Sequence, residues 1–190
     1  RVKENIRLLK GMVDINRLRP HVKTNKMAEV CSMMLQEGIT RFKCATIAEA
    51  EMLAMIQAPD VLLAYQPVGP KIMRLINLIK AYPAVHFACL TDSMENIQHI
   101  NETAEAQHVV INVFIDLNVG MNRTGIAPSR ALPLAAFIQS LKNIRLEGLH
   151  GYDGHIHDTD IKIRLQKSDE GFQQVADLHQ RGSQPVRGAE

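Results

Sequence analysis

The octapeptide RPHVKTNK, residues 19–26, gathers Arg19, His21, Lys23 and Lys26 at the end of a stretch, RLRPHVKT, that reads as a strand. A lysine at a strand end, facing a pocket among other cations, is disfavoured as an ammonium by both burial and like charge. A neutral amine attacks a carbonyl and forms a Schiff base. The local sequence leaves a plainer role open, in which Lys23 pairs with a carboxylate or extends its stem to water. A second basic group lies in GMNRTG, where Arg123 stands between Gly120 and Gly125. The glycines allow close backbone approach to a ligand, and a guanidinium fork suits a carboxylate or phenolate oxygen. An ordinary turn with a solvated arginine reads the same stretch equally well. The third stretch is HGYDGHIHD, residues 150–158. His155 and His157 alternate, so on an extended backbone both could face one ion. With no third ligand of defined spacing, the favoured reading has Tyr152 and one histidine lining a pocket. The neighbouring acids, Asp153, Asp158 and Asp160, then cap the next helix.

These residues recur within a repeating strand–helix rhythm. Strands are expected at 17–24, 39–46, 60–67, 84–90, 108–117 and 144–152. Helices are expected at 25–37, 47–57, from 70, at 93–106, at 128–142 and at about 162–181. Thr46 with Glu49, and Asp92 with Glu95, have capping-box spacing, and Pro70 suits a first helical position. Alternation of this kind means parallel βαβ units with right-handed crossovers. Near-continuous apolar runs such as VVINVFI fit strands covered on both faces. No G-x-G-x-x-G follows the first strand, which argues against a dinucleotide-binding sheet. The expected fold is α/β, a (β/α)8 barrel, with an open six-stranded sheet as the alternative. Six strands do not close a barrel of eight, so the chain reads as one partial barrel domain, residues 1–190. About two βα units, each about 25–30 residues, and any C-terminal β domain are then lacking. The tail from about 182 to 190 shows no clear structure in its sequence. In such a barrel the strand ends carry chemistry, and Lys23, Thr46, Gln66, Arg123 and Tyr152 all fall at strand ends.

Composition sets the outer limits. Apolar residues are 46% and charged residues 22% of the chain, with a formal net charge of +2. No basic tail suggests a nucleic-acid partner. No apolar run approaches the ~20 residues needed to cross a bilayer. Cys31, Cys44 and Cys89 are odd in number and form no C-x-x-C pair, which points to buried free thiols in a reducing, cytoplasmic setting.

Together RPHVKTNK, KCATIAEAE, IDLNVGMNRTG and LEGLHGYDGH resemble the D-threonine aldolase and D-serine dehydratase family, alanine racemase-like enzymes of the fold-type III pyridoxal 5'-phosphate (PLP) class. The resemblance runs from about residue 2 to 180, and GYDGH is closer to the aldolase branch. It implies that Lys23 holds the cofactor covalently. Arg123 would reach the cofactor's phenolic oxygen region and the substrate, and Tyr152 would pack on the pyridine ring. Thr46 and Gln66 would line the pocket without a firm role. It also implies a PLP-binding barrel followed by a β domain, in a homodimer acting on a small D-amino acid. The divalent metal would be bound by that further domain and not by this chain. Asn25 departs from the family, which often has His there. The expected activity is a PLP-dependent lyase that cleaves a small D-3-hydroxy amino acid. Dehydration, racemisation and a non-catalytic PLP carrier are the rivals.

Overall fold

Parallel strands buried on both faces are built from unbroken apolar runs, and the second and third strands of this chain show that burial directly. The computed structural model describes residues 1–182. The chain divides into two compact units, Arg1–Cys89 and Leu90 onward. The expected tail falls almost wholly outside the described residues.

In the first unit, helix α1 (Val2–Met12) leads through a 3-10 turn (Ile15–Arg17) and a second one (Val22–Thr24) to α2 (Ala28–Gln36). Strand β1 (Arg41–Cys44), α3 (Ile47–Met55), β2 (Asp60–Leu63), α4 (Pro70–Ala81) and β3 (His86–Thr91) follow, with β3 running across the boundary. β1 pairs with β2, and β2 with β3, both in parallel. Phe42, Cys44, Val61, Leu63, Phe87 and Cys89 from these strands are buried, with Leu53, Leu75 and Ile76 from the helices. Arg19 reaches across to clasp Asp60 with both guanidinium nitrogens, at 2.5 and 3.0 Å.

The strand expected at 17–24 is reduced to a single parallel bridge between His21 and Lys43. Pro20 has no N–H to give to a ladder, although its carbonyl accepts from Lys43 N at 2.9 Å. Immediately after the bridge the chain closes into the Val22–Thr24 turn. Helix α2 begins three residues later than expected. Lys26 adopts a positive φ of 51°, and the Asn25 side chain accepts from Met27 N at 3.1 Å, an Asx-type turn that holds the chain out of the helix.

The second unit contains α5 (Met94–Ala106), β4 (Ile111–Leu117), a 3-10 turn (Pro128–Arg130) that runs into α6 (Ala131–Gln139), β5 (Ile144–Gly151) and α7 (Ile161–Gly182). β4 and β5 are parallel, and the register slips between Val113 and Phe114, so that Glu147 is bulged out opposite them. Ile97, Ile100, Ile111, Val113, Ile115 and Ile138 form its core. Asn143 ties the start of β5 back through bonds to Asn101 Oδ1 at 3.1 Å and Val109 O at 3.0 Å.

Two caps were expected at helix starts. At α3, Thr46 Oγ1 accepts from Glu49 N at 3.1 Å, and the Glu49 carboxylate returns to Ala45 N at 2.8 Å, one residue short of the usual box. At α5 the cap is Ser93, whose hydroxyl accepts from Asn96 N at 3.3 Å. Asp92 is instead spent on Gly125 N at 3.0 Å. Thr46→Ala should lower stability by about 1 kcal/mol in urea unfolding, and Thr46→Ser should retain most of it.

Candidate functional site

In the first unit, Lys23 is the middle residue of the Val22–Thr24 turn, directly beyond the His21–Lys43 bridge. Val22 anchors the turn, being 1% exposed. The sequence placed Lys23 in a buried strand end, but the side chain is exposed, because the chain turns away as soon as the bridge is made. The turn is capped by its neighbour: Lys23 N donates to His21 Nδ1 at 3.2 Å. The pKa of His21 is lowered from 6.5 to about 4, first by burial and then by the positive charges of Lys23 and Lys43. At neutral pH the ring is therefore uncharged. Glu49, buried beside Ala45, pairs with Lys26 at 3.7 Å. Thr46 is exposed with its oxygen in the α3 cap, and Gln66, just past β2, is half-buried.

In the second unit, a loop after β4 carries Arg123. Asn118 organises it: its Oδ1 accepts from Gly120 N at 3.1 Å and Asn122 N at 3.0 Å, and its Nδ2 donates to Asn122 Oδ1 at 2.9 Å. The loop closes where Ile126 N reaches Asp116 O at 2.9 Å and Asn118 N reaches Ile126 O at 2.8 Å. Arg123 is exposed, and its guanidinium carbon lies 5.2 Å from the centre of the Tyr152 ring, a cation–π arrangement. Gly154 also lies against that phenol, and any Cβ there would sit 2.2 Å from the ring. Arg123 and Tyr152 line a small pocket with Asp116, Asn118, Met121 and Thr124. The structure thus brings these two expected residues together.

The two glycines expected to admit a ligand meet protein instead. Gly120 faces the His155 imidazole, with a Cβ position 2.7 Å from Nε2. Gly125, at φ +90°, lies against the Leu117–Asn118 backbone, with a Cβ position 2.6 Å from the Leu117 carbonyl carbon. His155 thus packs under the Arg123 loop, while His157 Nδ1 lies 2.7 Å from the His155 carbonyl oxygen. Among the described residues no group of three or more His, Cys, Asp or Glu could hold a metal ion. Of the nearby acids, Asp160 caps α7 through Lys162 N at 2.8 Å, and Asp158 pairs with Lys167 at 2.7 Å. Lys167 holds the Asp158 carboxyl below its usual range.

Sequence reasoning missed one pair. Asp116 and His150 sit at the ends of β4 and β5 with Oδ1 and Nδ1 2.6 Å apart, the side chains only 8% and 12% exposed. The signal was available in the register, since the β4–β5 pairing places Asp116 directly opposite His150.

Parallel strands whose carboxyl ends carry a lysine turn, and an arginine stacked on a phenol, define an α/β domain of the barrel type, with its polar groups at the strand ends. The chain belongs to the family described as alanine racemase, N-terminal domain, which matches residues 1–188. It is 28% identical over 165 residues to 3-hydroxy-D-aspartate aldolase of Paracoccus denitrificans (strain Pd 1222), covering 84% of this chain and 42% of that protein. To D-threonine aldolase of an Arthrobacter species it is 23% identical over 155 residues, covering 80% of this chain and 40% of that protein. The crystal structure of D-threonine aldolase from Filomicrobium marinum superposes with a TM-score of 0.85 at 25% identity, over 95% of this chain and 51% of that one. The chain spans under half the length of these two curated relatives. The fold is accordingly a partial (β/α) barrel. No helix among the described residues is long and apolar enough to cross a membrane.

Gly125→Ala should be among the costliest small substitutions in the second unit. A positive φ alone costs an alanine about 1–3 kcal/mol, and the overlap with Leu117 adds to it. The expected result is a clear fall in melting temperature, with loss of the Arg123–Tyr152 stacking in an NMR or crystal structure of the variant.

Proposed function

We propose that this chain supplies the PLP-binding part of a lyase that cleaves a small D-3-hydroxy amino acid to glycine and an aldehyde, acting as a homodimer. The observation that carries the reading is Lys23, an exposed primary amine on a capped turn at the end of a parallel pairing, inside the motif RPHVKTNK. An aldehyde cofactor needs an accessible amine, and Lys23 meets that need. A flat anionic ring needs a cation and an aromatic face, and Arg123 over Tyr152 offers both. On these grounds the residues present fit the cofactor.

In this reading Lys23 would hold the cofactor covalently through its Nζ. The Arg123 guanidinium would donate to the cofactor's phenolic oxygen or to the substrate carboxylate, fixing one end of the substrate. Tyr152 would offer an aromatic face to the cofactor ring. Thr46 and Gln66 line the pocket. When bound, PLP supplies an electron sink for the pair released at Cα.

The name of the Paracoccus relative favours aldol cleavage, while a D-threo-3-hydroxyaspartate dehydratase of a Delftia species, 25% identical over 170 residues, keeps dehydration as the second reading. With D-threonine as substrate, the protein should release glycine and acetaldehyde. Predominant 2-oxobutyrate would move the assignment to the dehydratase. Mixed with PLP and reduced with borohydride, the protein should carry the label on Lys23, and Lys23→Ala should lose both the visible band and the adduct. A reducible band that survives in Lys23→Ala would remove Lys23 from its role.

A further inference from the structure

The ring of His21 bonds to the turn that carries Lys23, and its main chain ties that turn to β1. Its Nδ1 accepts from Lys23 N at 3.2 Å, closing the turn on which the amine sits. With Nδ1 accepting, the proton of the neutral ring lies on Nε2, which fixes the tautomer. The main chain at His21 makes the one bridge to β1, and its carbonyl accepts from Thr24 Oγ1 at 3.4 Å. The charged groups around the ring are Lys23 on its own turn, Lys43 on β1 and Glu49 on α3, two of them cationic. Burial and these cations keep the ring uncharged down to a pKa of about 4. A protonated ring would have no acceptor at Nδ1, and would place a third positive charge beside two lysines.

We propose that His21 is a positioning residue for Lys23, its ring capping the Val22–Thr24 turn while its main chain bridges to β1, so that the amine is presented in one fixed orientation. The proposal deepens the PLP reading and rests on it for its catalytic meaning, but its structural content concerns one amide proton and is measurable without cofactor. The substitution that separates the two jobs of the ring is His21→Asn. Its side-chain oxygen can accept from the same N–H, as Asx residues do at turns, yet it does not titrate.

The test is amide hydrogen exchange at Lys23, followed by NMR on the full chain without PLP and corrected for intrinsic exchange, paired with borohydride trapping of PLP. At pH 7, His21→Ala should speed exchange of the Lys23 amide about fivefold or more, as expected for the loss of one hydrogen bond. It should also slow PLP trapping at Lys23 with far-UV circular dichroism unchanged. His21→Asn should restore both. The folded ring binds its proton only near pH 4. Protection in the wild type should therefore persist as pH falls below 6.5 and be lost through about 4, while His21→Asn should keep it. Wild-type exchange in His21→Ala, or the same acid loss in His21→Asn, would overturn the proposal. Should His21→Ala fail to fold, the acid comparison between wild type and His21→Asn decides alone. If the exchange pattern holds but PLP never labels wild-type Lys23, the bracing role stands and the cofactor reading falls.

Discussion

A parallel strand pair cannot be joined by a tight hairpin; the chain must cross back over a face of the sheet before the next strand begins. Everything functional in this protein follows from that constraint. Each crossover leaves a loop at a strand's carboxyl end, where backbone groups no longer have ladder partners and side chains must take over. In the first unit this is done by the His21 ring and the Thr46 hydroxyl. In the second it is done by Asn118, which holds three groups of its own loop, and by Asp92, which reaches from the end of β3 to Gly125. The polar residues that a sequence reader would mark for chemistry are thus divided between two tasks, holding the loop and facing a ligand. In the proposed reading, Lys23, Arg123 and Tyr152 are left for the second task because other side chains have taken the first.

The alternation of elements was legible because burial imposes it. Strands such as DVLL and HFACLT are apolar nearly throughout, as β2 and β3 require, and α4 opens on Pro70 where a proline costs no hydrogen bond. The segment around Pro20 was misread for a local reason. RLRPHVKT has strand-like residues, but a proline at its centre and a side-chain acceptor two residues before the lysine N–H allow only one bridge. Asp92 was misread because spacing alone cannot tell a cap from a long-range acceptor; Ser93, one position on, fills the cap and frees the carboxylate.

At the candidate site, residue types alone indicate some contacts and leave others open. Arg123 beside Tyr152 could be read from the two strand ends. That Gly120 is pressed by His155, and Gly125 by Leu117, could not, because both contacts depend on how the loop doubles back. The Asp116–His150 pair is the opposite case. Its members are 34 residues apart, yet they are fixed by strand register once β4 and β5 are aligned. Lys23 shows the limit of charge counting: burial first, and then Lys23 and Lys43, lower the pKa of His21, while Lys23 itself is exposed.

The three cysteines have a practical corollary. Cys31, Cys44 and Cys89 are all enclosed, and burial raises the pKa of both Cys44 and Cys89 to about 12. Alkylating reagents act on thiolates at accessible sulfur, so the native fold shields its own sulfur from them. A single cysteine engineered onto an exposed loop would therefore take up a fluorophore or spin label selectively, with no need to strip the natural three from the core.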